Sequence, residues 1–261
     1  MLIETIARVA LQAAERSGRV LCRCFGNLSR IDKKGRIDLV TEADLASEKA
    51  VVDTIRAHFP DHAILSEESG RSGKNDHATW IIDPLDGTTN FAHNLPVFAV
   101  SIAYAEDGVV RHGTILNPAR GELFQASTGQ GASLNGRPIR VSNVSRLDSA
   151  LLMTGFPYDL DKTLDAILER LKTCLATVQG VRRPGAAALD LCDVACGRCE
   201  GFWEERLKPW DTAAGALIVS EAGGRVTDFN GSPFLPEMPA ILATNGAIHQ
   251  ELADLLETAA V

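Results

Sequence analysis

The stretch Trp80-Ile81-Ile82-Asp83-Pro84-Leu85-Asp86-Gly87-Thr88-Thr89-Asn90-Phe91 decides how the chain is read. An apolar, strand-like run ends in two carboxylates three residues apart, and a Gly-Thr-Thr turn able to open a helix follows. Hard divalent cations take oxygen ligands. Phosphates are held by backbone N–H groups at helix N-termini. One segment offers both, which points to metal-assisted chemistry on a phosphorylated substrate. Pro-x-Asp-Gly is also ordinary turn chemistry, so in isolation the segment reads equally well as a loop.

Carboxylates elsewhere weigh against the plain loop. Ile64-Leu65-Ser66-Glu67-Glu68-Ser69-Gly70 puts two acids just past another strand-like run, and Trp210-Asp211-Thr212-Ala213-Ala214-Gly215 puts one at the mouth of an apolar helix. Taken singly, Glu67 or Glu68 reads as a solvated loop charge and Asp211 as an N-cap. Their joint occurrence with Asp83 and Asp86 favours a site.

The chain has 261 residues, 45% hydrophobic, enough for one large domain or two tightly joined halves. With no linker or repeat in view, it reads as a single catalytic unit over 1–261, with an N-terminal α/β half of about 1–145 and a C-terminal α/β half of about 146–261. The net charge is −8, from 26 basic and 34 acidic residues. Such diffuse acidity argues against nucleic acid as the main partner. An acidic protein that binds an anion needs a metal or oriented dipoles to supply positive potential. No run of about 18 apolar residues is present, so no transmembrane helix is expected. The N-terminus carries Glu4 and Glu15 within its apolar pattern and lacks a basic leader, so the cytoplasm is the expected compartment. Asn27-Leu28-Ser29 and Asn143-Val144-Ser145 fit a glycosylation pattern that matters only on secretion.

The six cysteines are expected to be thiols. Cys192, Cys196 and Cys199 match an iron–sulfur or redox spacing, but they equally match one face of an apolar helix, where Cys packs as a small hydrophobe. The latter reading is preferred.

Periodicity predicts an amphipathic helix over residues 2 to about 25, with Ile3, Ile6, Ala10, Ala13 and Val20 on one face. A polar turn, Asp32-Lys33-Lys34-Gly35-Arg36, follows. A second helix starts at Thr41 with Leu45, Val52, Ile55 and Phe59 as its stripe. Residues Ala63 to about Leu134 read as strands of an antiparallel sheet, with turns at Glu106-Asp107-Gly108 and Asn135-Gly136. The second half alternates: a strand at Leu151–Thr154, a helix from Asp161 to about Thr177 with Leu164, Ile167, Leu168 and Leu171 on one side, a helix over Ala186–Cys199, an extended piece at Gly201–Glu204, a helix over Thr212–Glu221, a strand at Ile241–Ala243 and a final helix to about Leu256. Such alternation implies helix layers on a sheet.

Ser66-Glu67-Glu68-Ser69, Trp80 to Phe91 and Trp210 to Gly215 resemble the three motifs of the inositol monophosphatase family, which belongs to the lithium-sensitive, magnesium-dependent sugar phosphatases. The resemblance runs from Asp38-Leu39-Val40-Thr41 to Glu221-Ala222-Gly223-Gly224. It implies an α/β fold, a layered α-β-α-β-α sandwich of the inositol monophosphatase/fructose bisphosphatase type, usually homodimeric. It implies a first metal site of Glu67, Asp83 and the Leu85 carbonyl, with Thr88 close by, and a second of Asp83, Asp86 and Asp211, so that Asp83 bridges. A weaker third ion would sit near Glu67. Thr88 and Asp44 would orient the attacking water, although Thr41-x-x-Asp44 is also a capping-box helix start. The N–H groups of Gly87 and Thr88 would hold phosphate oxygens, Asp86 and Asp211 would contact the substrate, Glu204 its ring hydroxyls, Gly185-Ala186-Ala187 would form a lining turn, and Lys33 would be a basic residue on a closing loop.

The chemistry is consistent with that set. All-oxygen ligation suits Mg²⁺, with Mn²⁺ as substitute, and two metals about 3.5–4 Å apart clamp the attacking and leaving oxygens of an in-line displacement. No covalent phosphoenzyme is implied, and the histidines do not cluster. Arg206 and Lys208 read either as solvated charges or as a basic rim. Inositol 1-phosphate is the first substrate choice. Fructose 1,6-bisphosphate, histidinol phosphate and phosphoadenosine phosphate are the family alternatives. A binding role in transcription or ribosomal RNA maturation, through Arg182-Arg183 and Arg206/Lys208, is the reading from another class. The intact ligand set argues against that role alone.

Overall fold

The structure is a computed structural model and describes residues 2–35, 37, 39–73, 75–157 and 163–258. The chain begins with helix α1 (Leu2–Cys24), which buries Ile6, Val9, Ala10, Ala13, Ala14 and Leu21. Leu21 rather than Val20 completes the stripe, because the 3.6-residue period returns to that face one position later. Strands β1 (Ile31–Lys33) and β2 (Leu39–Thr41) pair antiparallel and lead into α2 (Glu42–His58), capped by Thr41. The expected stripe of α2 fails at Leu45, which is 58% exposed. Its buried face is instead half polar: Ala43, Asp44, Ser47, Glu48, Val51, Thr54 and Ile55.

There follow β3 (His62–Ser66), β4 (Gly70–Ser72), β5 (Asn75–Asp86), the short α3 (Thr88–Ala92), β6 (Ala99–Glu106), β7 (Val109–Asn117), β8 (Glu122–Ser127), β9 (Ala132–Leu134) and β10 (Arg137–Ile139). They form one eight-stranded sheet in the order β10-β9-β8-β7-β6-β5-β3-β4. Asp107-Gly108 and Asn135-Gly136 all take positive φ, the conformation whose twist suits two-residue hairpin loops. The sheet is mixed rather than antiparallel throughout, because β3 and β5 pair parallel.

The remainder comprises β11 (Leu151–Thr154), α4 (Leu164–Thr177), β12 (Gly180–Arg182), α5 (Ala187–Ala195), β13 (Gly201–Glu205), α6 (Pro209–Glu221), β14 (Arg225–Thr227), β15 (Ala240–Thr244) and α7 (His249–Thr258). Its sheet runs β12-β11-β13-β15-β14. The predicted helix start at Asp161, the turn residue Arg36 and the motif residue Asp38 lie outside the described residues. Helix α4 buries Ile167, Arg170 and Cys174, whereas Leu164 and Leu168 are exposed. Helix α5 stops before Cys196, its C-cap, and Gly197 at φ +74° turns the chain. The three cysteines therefore do not share one helical face. All three are free, burial pushes the Cys196 thiol up to about 11, and the Cys192 and Cys199 thiols are also raised by burial. Thiols held protonated are poor ligands and nucleophiles.

Side-chain alternation along the strands sorts the core into layers. Trp80 and Ile82 join Ile6, Ala10, Val51 and Ile55 beneath α1 and α2. Ile81, Ala103 and Ile115 point the other way, onto Leu191, Ala213 and Ile218 of α5 and α6. Phe202, Ile241 and Ala243 cover those two helices from the second sheet, and Trp203 and Leu242 face outward to Cys174, Leu252 and Leu256 of α4 and α7. The result is the α-β-α-β-α sandwich, with α5 and α6 as its shared middle layer.

The middle layer is close-packed against backbone. A Cβ on Gly113 of β7 would stand 2.8 Å from the Ala214 carbonyl oxygen, and one on Gly215 2.5 Å from Leu191 Cδ1. Gly113→Val should therefore cost roughly 1–3 kcal/mol through overpacking, read as a lower urea midpoint with unchanged slope. Because α6 carries Asp211, divalent-cation affinity should fall as well.

Candidate active site

Strand β5 runs through its two carboxylates instead of ending before them, with a register shift between Asp83 and Asp86 where it pairs β6. Asp83 shares the parity of Ile81 and so points to the middle layer. The Ser47 hydroxyl of α2 donates to the Pro84 carbonyl oxygen at 2.6 Å, pinning the shift. Gly87 then adopts φ +86°, and a Cβ there would lie 2.7 Å from the Val97 carbonyl oxygen. Glycine is required at this position on both counts.

Asp83 and Asp86 are buried, Asp211 is half-buried, and the three are gathered at this point. Asp83 Oδ1 accepts from the Leu85 N–H at 2.9 Å. Asp86 Oδ2 accepts from the Ala188 N–H at 2.8 Å, at the start of α5. Asp211 Oδ2 accepts from the Lys208 N–H at 2.7 Å, so Asp211 sits inside the first turn of α6 and Lys208 is the cap. Burial raises the Asp86 carboxyl to about 7, with the Glu67 charge adding to the rise and the backbone N–H groups resisting it. Burial also raises Asp83 well above the carboxylate range, helped by Glu67, Asp86 and Asp211. Asp211 moves the same way, burial again the main cause.

Glu67 follows β3, its N–H donating to the Ile82 carbonyl oxygen at 3.2 Å. Glu48 of α2 holds the loop, accepting from the Ser66 hydroxyl and from the N–H groups of Glu68 (3.1 Å) and Ser69 (3.3 Å). Lys34, not the expected Lys33, reaches these acids: its Nζ lies 2.9 Å from Glu67 and 2.5 Å from Glu68. Lys33 is exposed on β1, where alternation points neighbouring side chains to opposite faces.

Asp44 and Thr88 form the second part of the site. The Thr88 hydroxyl stands 3.1 Å from Asp44 Oδ1 and 3.0 Å from the Leu85 carbonyl oxygen. Asp44 Oδ2 accepts from the Thr41 N–H (2.8 Å) and hydroxyl (2.6 Å). The capping box and the Thr88 contact thus coexist, one on each carboxylate oxygen.

Glu204 lies two residues after Phe202 and faces the same inner side. It is buried, and burial with Asp211 raises it to about 8 against the pull of Arg183. It lines a cleft of about 430 Å³ with Lys34, Glu67, Phe156, Lys208 and Asp211. Arg206 borders the same cleft, so Arg206 and Lys208 stand on its rim. Gly185, at φ +88°, and Ala187 lie at the start of α5 beside Asp86. A larger cleft of about 880 Å³, lined by His112, Gln125, Arg140 and Glu221 among others, opens elsewhere. Its buried His112 is satisfied by Ser127 and Thr114, and it contains none of the clustered carboxylates.

Three contributors escaped the sequence reading. Lys34 is indistinguishable from Lys33 until strand parity is known, and Glu48 is visible only as the residue one turn beyond Asp44. Asn90 lay within the quoted motif without an assigned role. Its Nδ2 reaches the carbonyls of Val97 (2.9 Å), Pro184 (2.9 Å) and Gly185 (3.2 Å), tying α3 to the turn before α5.

The donor set fits a hard divalent cation. No ion pair to Asp83 or Asp86 occurs among the described residues, and buried carboxylates without a counter-charge are costly. The available donors, carboxylates and the Leu85 carbonyl, are all oxygen. As they stand, no three His, Cys, Asp or Glu side chains among the described residues converge into a finished cage.

A five-layered fold with an oxygen-donor acidic centre beside a basic-rimmed cleft is suited to hold hard cations against an anionic substrate. The Inositol monophosphatase family pattern matches residues 2–260. The inositol-1-monophosphatase of Synechocystis sp. is 49% identical over 256 residues, covering 97% of this chain and 89% of that protein. The Nus factor SuhB of Pseudomonas aeruginosa is 45% identical, covering 93% and 92%. The solved inositol monophosphatase of Anabaena (Nostoc) sp. superposes with a TM-score of 0.90 at 45% identity, over 99% of this chain and 97% of that one. The chain belongs to the inositol monophosphatase family, and is a phosphoric monoester hydrolase of a generally metal-dependent kind. No helix among the described residues is long and apolar enough to cross a membrane.

The raised carboxyls carry a sign. Asp86 titrates near 7 and Glu204 near 8 in the folded chain, against about 4 unfolded. The folded state then binds more protons, so these groups lower stability as pH rises from about 4 to about 8. His112 and His249, pushed down to about 4 by burial, act oppositely between about 4 and 6.5. A divalent cation acts on the acids alone. The melting-temperature gain from added Mg²⁺ should therefore grow steadily from pH 5 to pH 8; a gain independent of pH would contradict this.

Proposed function

We propose that the protein hydrolyses polyol phosphomonoesters, inositol 1-phosphate foremost, with Mg²⁺ as cofactor in two or three sites. The observation that carries this is the Thr88 hydroxyl set between Asp44 and the Leu85 carbonyl, at the edge of the Asp83/Asp86/Asp211 cluster. Glu67, Asp83 and the Leu85 carbonyl would hold one ion, and Asp83, Asp86 and Asp211 another, with a weaker third near Glu67. When bound, such ions acidify a water and neutralise phosphate charge.

The chain's own groups do the rest. Asp44 accepts the Thr88 hydroxyl proton in a hydrogen bond, which turns the hydroxyl oxygen's lone pairs toward an incoming water. That water is thereby aimed at phosphorus in line with the ester oxygen, whose bond to phosphorus breaks to release the alcohol and inorganic phosphate. The N–H groups at Gly87 and Thr88, at the start of α3, would hold phosphate oxygens. Glu204 accepts hydrogen bonds from the hydroxyls of the alcohol, and the Gly185–Ala187 turn supports it. Lys34 takes the closing role first expected of Lys33. The resemblance further implies a homodimer, which sedimentation would test.

A second reading comes from relatives named Nus factor SuhB. On that reading the chain also contacts transcription machinery, and pull-down of the RNA polymerase elongation complex by the Asp83→Asn protein would reveal it.

The test is phosphate release from inositol 1-phosphate, fructose 1,6-bisphosphate, histidinol phosphate and phosphoadenosine phosphate, with Mg²⁺, with EDTA, and with Mg²⁺ plus Li⁺. Release that requires Mg²⁺, falls with Li⁺ and is fastest on inositol 1-phosphate is expected. Asp83→Asn should abolish it, and near-normal turnover at saturating Mg²⁺ would remove the bridging role. Thr88→Ala should lower kcat about 10²-fold or more while changing Mg²⁺ affinity little; an unchanged kcat would take Thr88 out of water positioning.

A further inference from the structure

Gly155 immediately follows β11, and its φ is not positive, so backbone conformation does not demand glycine there. Space does. A Cβ at this position would overlap both carboxylate oxygens and the carboxyl carbon of Glu204. The backbone cannot retreat to make room. Strands β11 and β13 pair parallel with Thr154 opposite Trp203, and the Thr154 hydroxyl donates to the Trp203 carbonyl oxygen at 2.9 Å. On its other side β13 is locked to β15, with Glu204 opposite Ile241. Any side chain at 155 would therefore move the Glu204 carboxylate and leave the strand in place. That carboxylate lines the cleft beside Phe156 and Pro157, as does Glu205 of the same strand, and Phe156 carries the Arg183 guanidinium 5.8 Å from its ring centre.

We infer that Gly155 is a positioning residue: its missing side chain sets the angle at which Glu204 enters the cleft, and so sets the preference for phosphomonoesters whose alcohol carries neighbouring hydroxyls. The inference rests on Glu204 reading those hydroxyls. A carboxylate displaced by the width of a methyl group loses hydrogen bonds to substrate hydroxyls, while the carboxylate cluster and the Thr88–Asp44 pair stay where they are. Substrates without such hydroxyls lose nothing.

The test compares kcat and KM of the Mg²⁺-loaded enzyme on inositol 1-phosphate and on phenyl phosphate, which has no hydroxyl to offer. Gly155→Ala should raise KM for inositol 1-phosphate about tenfold or more, the loss expected for a hydrogen bond to a charged group, and shift kcat/KM for phenyl phosphate by less than about twofold. Shortening the acid by one methylene in the Gly155→Ala/Glu204→Asp double variant should recover part of the lost selectivity. Equal losses on both substrates, or none on either, would overturn the inference. Glu204→Gln separates the two layers of the argument. If it erases the preference while Gly155→Ala retains it, only the role of Gly155 falls; if it leaves the preference intact, the reading of Glu204 falls and the inference with it. Should Gly155→Ala not fold, Gly155→Ala/Glu204→Ala, which empties the contested space, must fold; failure of both would place the need for glycine in the backbone and overturn the proposal.

Discussion

The rest of the structure depends on the enclosure of Asp83 and Asp86, with Asp211 half-buried and Glu67 beside them. Each of the three has one oxygen held by a backbone N–H, from Leu85, Ala188 and Lys208 respectively. Those amides come from a strand shift and two helix starts, places where N–H groups are free to point at a carboxylate. The amides offset part of the burial cost and leave the carboxyls raised. A fold that keeps such a cluster gives up stability for cation affinity, a trade seen often at functional sites.

The five layers serve that cluster. β5 brings Asp83 and Asp86 to the middle layer, α6 brings Asp211, α2 brings Asp44, and β13 brings Glu204. No single element holds the site, so its geometry is as rigid as the packing of α5 and α6 between two sheets. Gly113 lets β7 approach the backbone of α6, Gly215 makes room on α6 for the Leu191 side chain of α5, and Asn90 binds the motif helix α3 to the turn that opens α5.

Much of this was legible in the sequence. The acidic motifs follow apolar runs that do form strands, and the family resemblance supplied the layer order. Two helix stripes failed for one cause. The stripe drawn through Leu45 on α2 and that through Leu164 and Leu168 on α4 assumed that buried faces are apolar. On α2 the buried face carries Asp44, Ser47 and Glu48 because it supports the site, and on α4 it carries Arg170, whose Nη1 lies 2.7 Å from Glu205 Oε2. That Lys34 rather than Lys33 pairs with Glu67 and Glu68 was not legible, because parity in a three-residue strand cannot be read without its partner. The role of Gly155 is invisible in sequence, since it lies in the space occupied by a side chain forty-nine residues away.

The central claim is that divalent cations take the place of protons on the buried carboxylates. Calorimetric titration of Mg²⁺ into the protein at pH 7, repeated in buffers of different ionisation enthalpy, tests it most directly. The observed heat should vary with the buffer and show net proton release on binding, because burial raises the Asp83, Asp86 and Asp211 carboxyls. Binding with no proton release, or no binding at millimolar Mg²⁺, would contradict it.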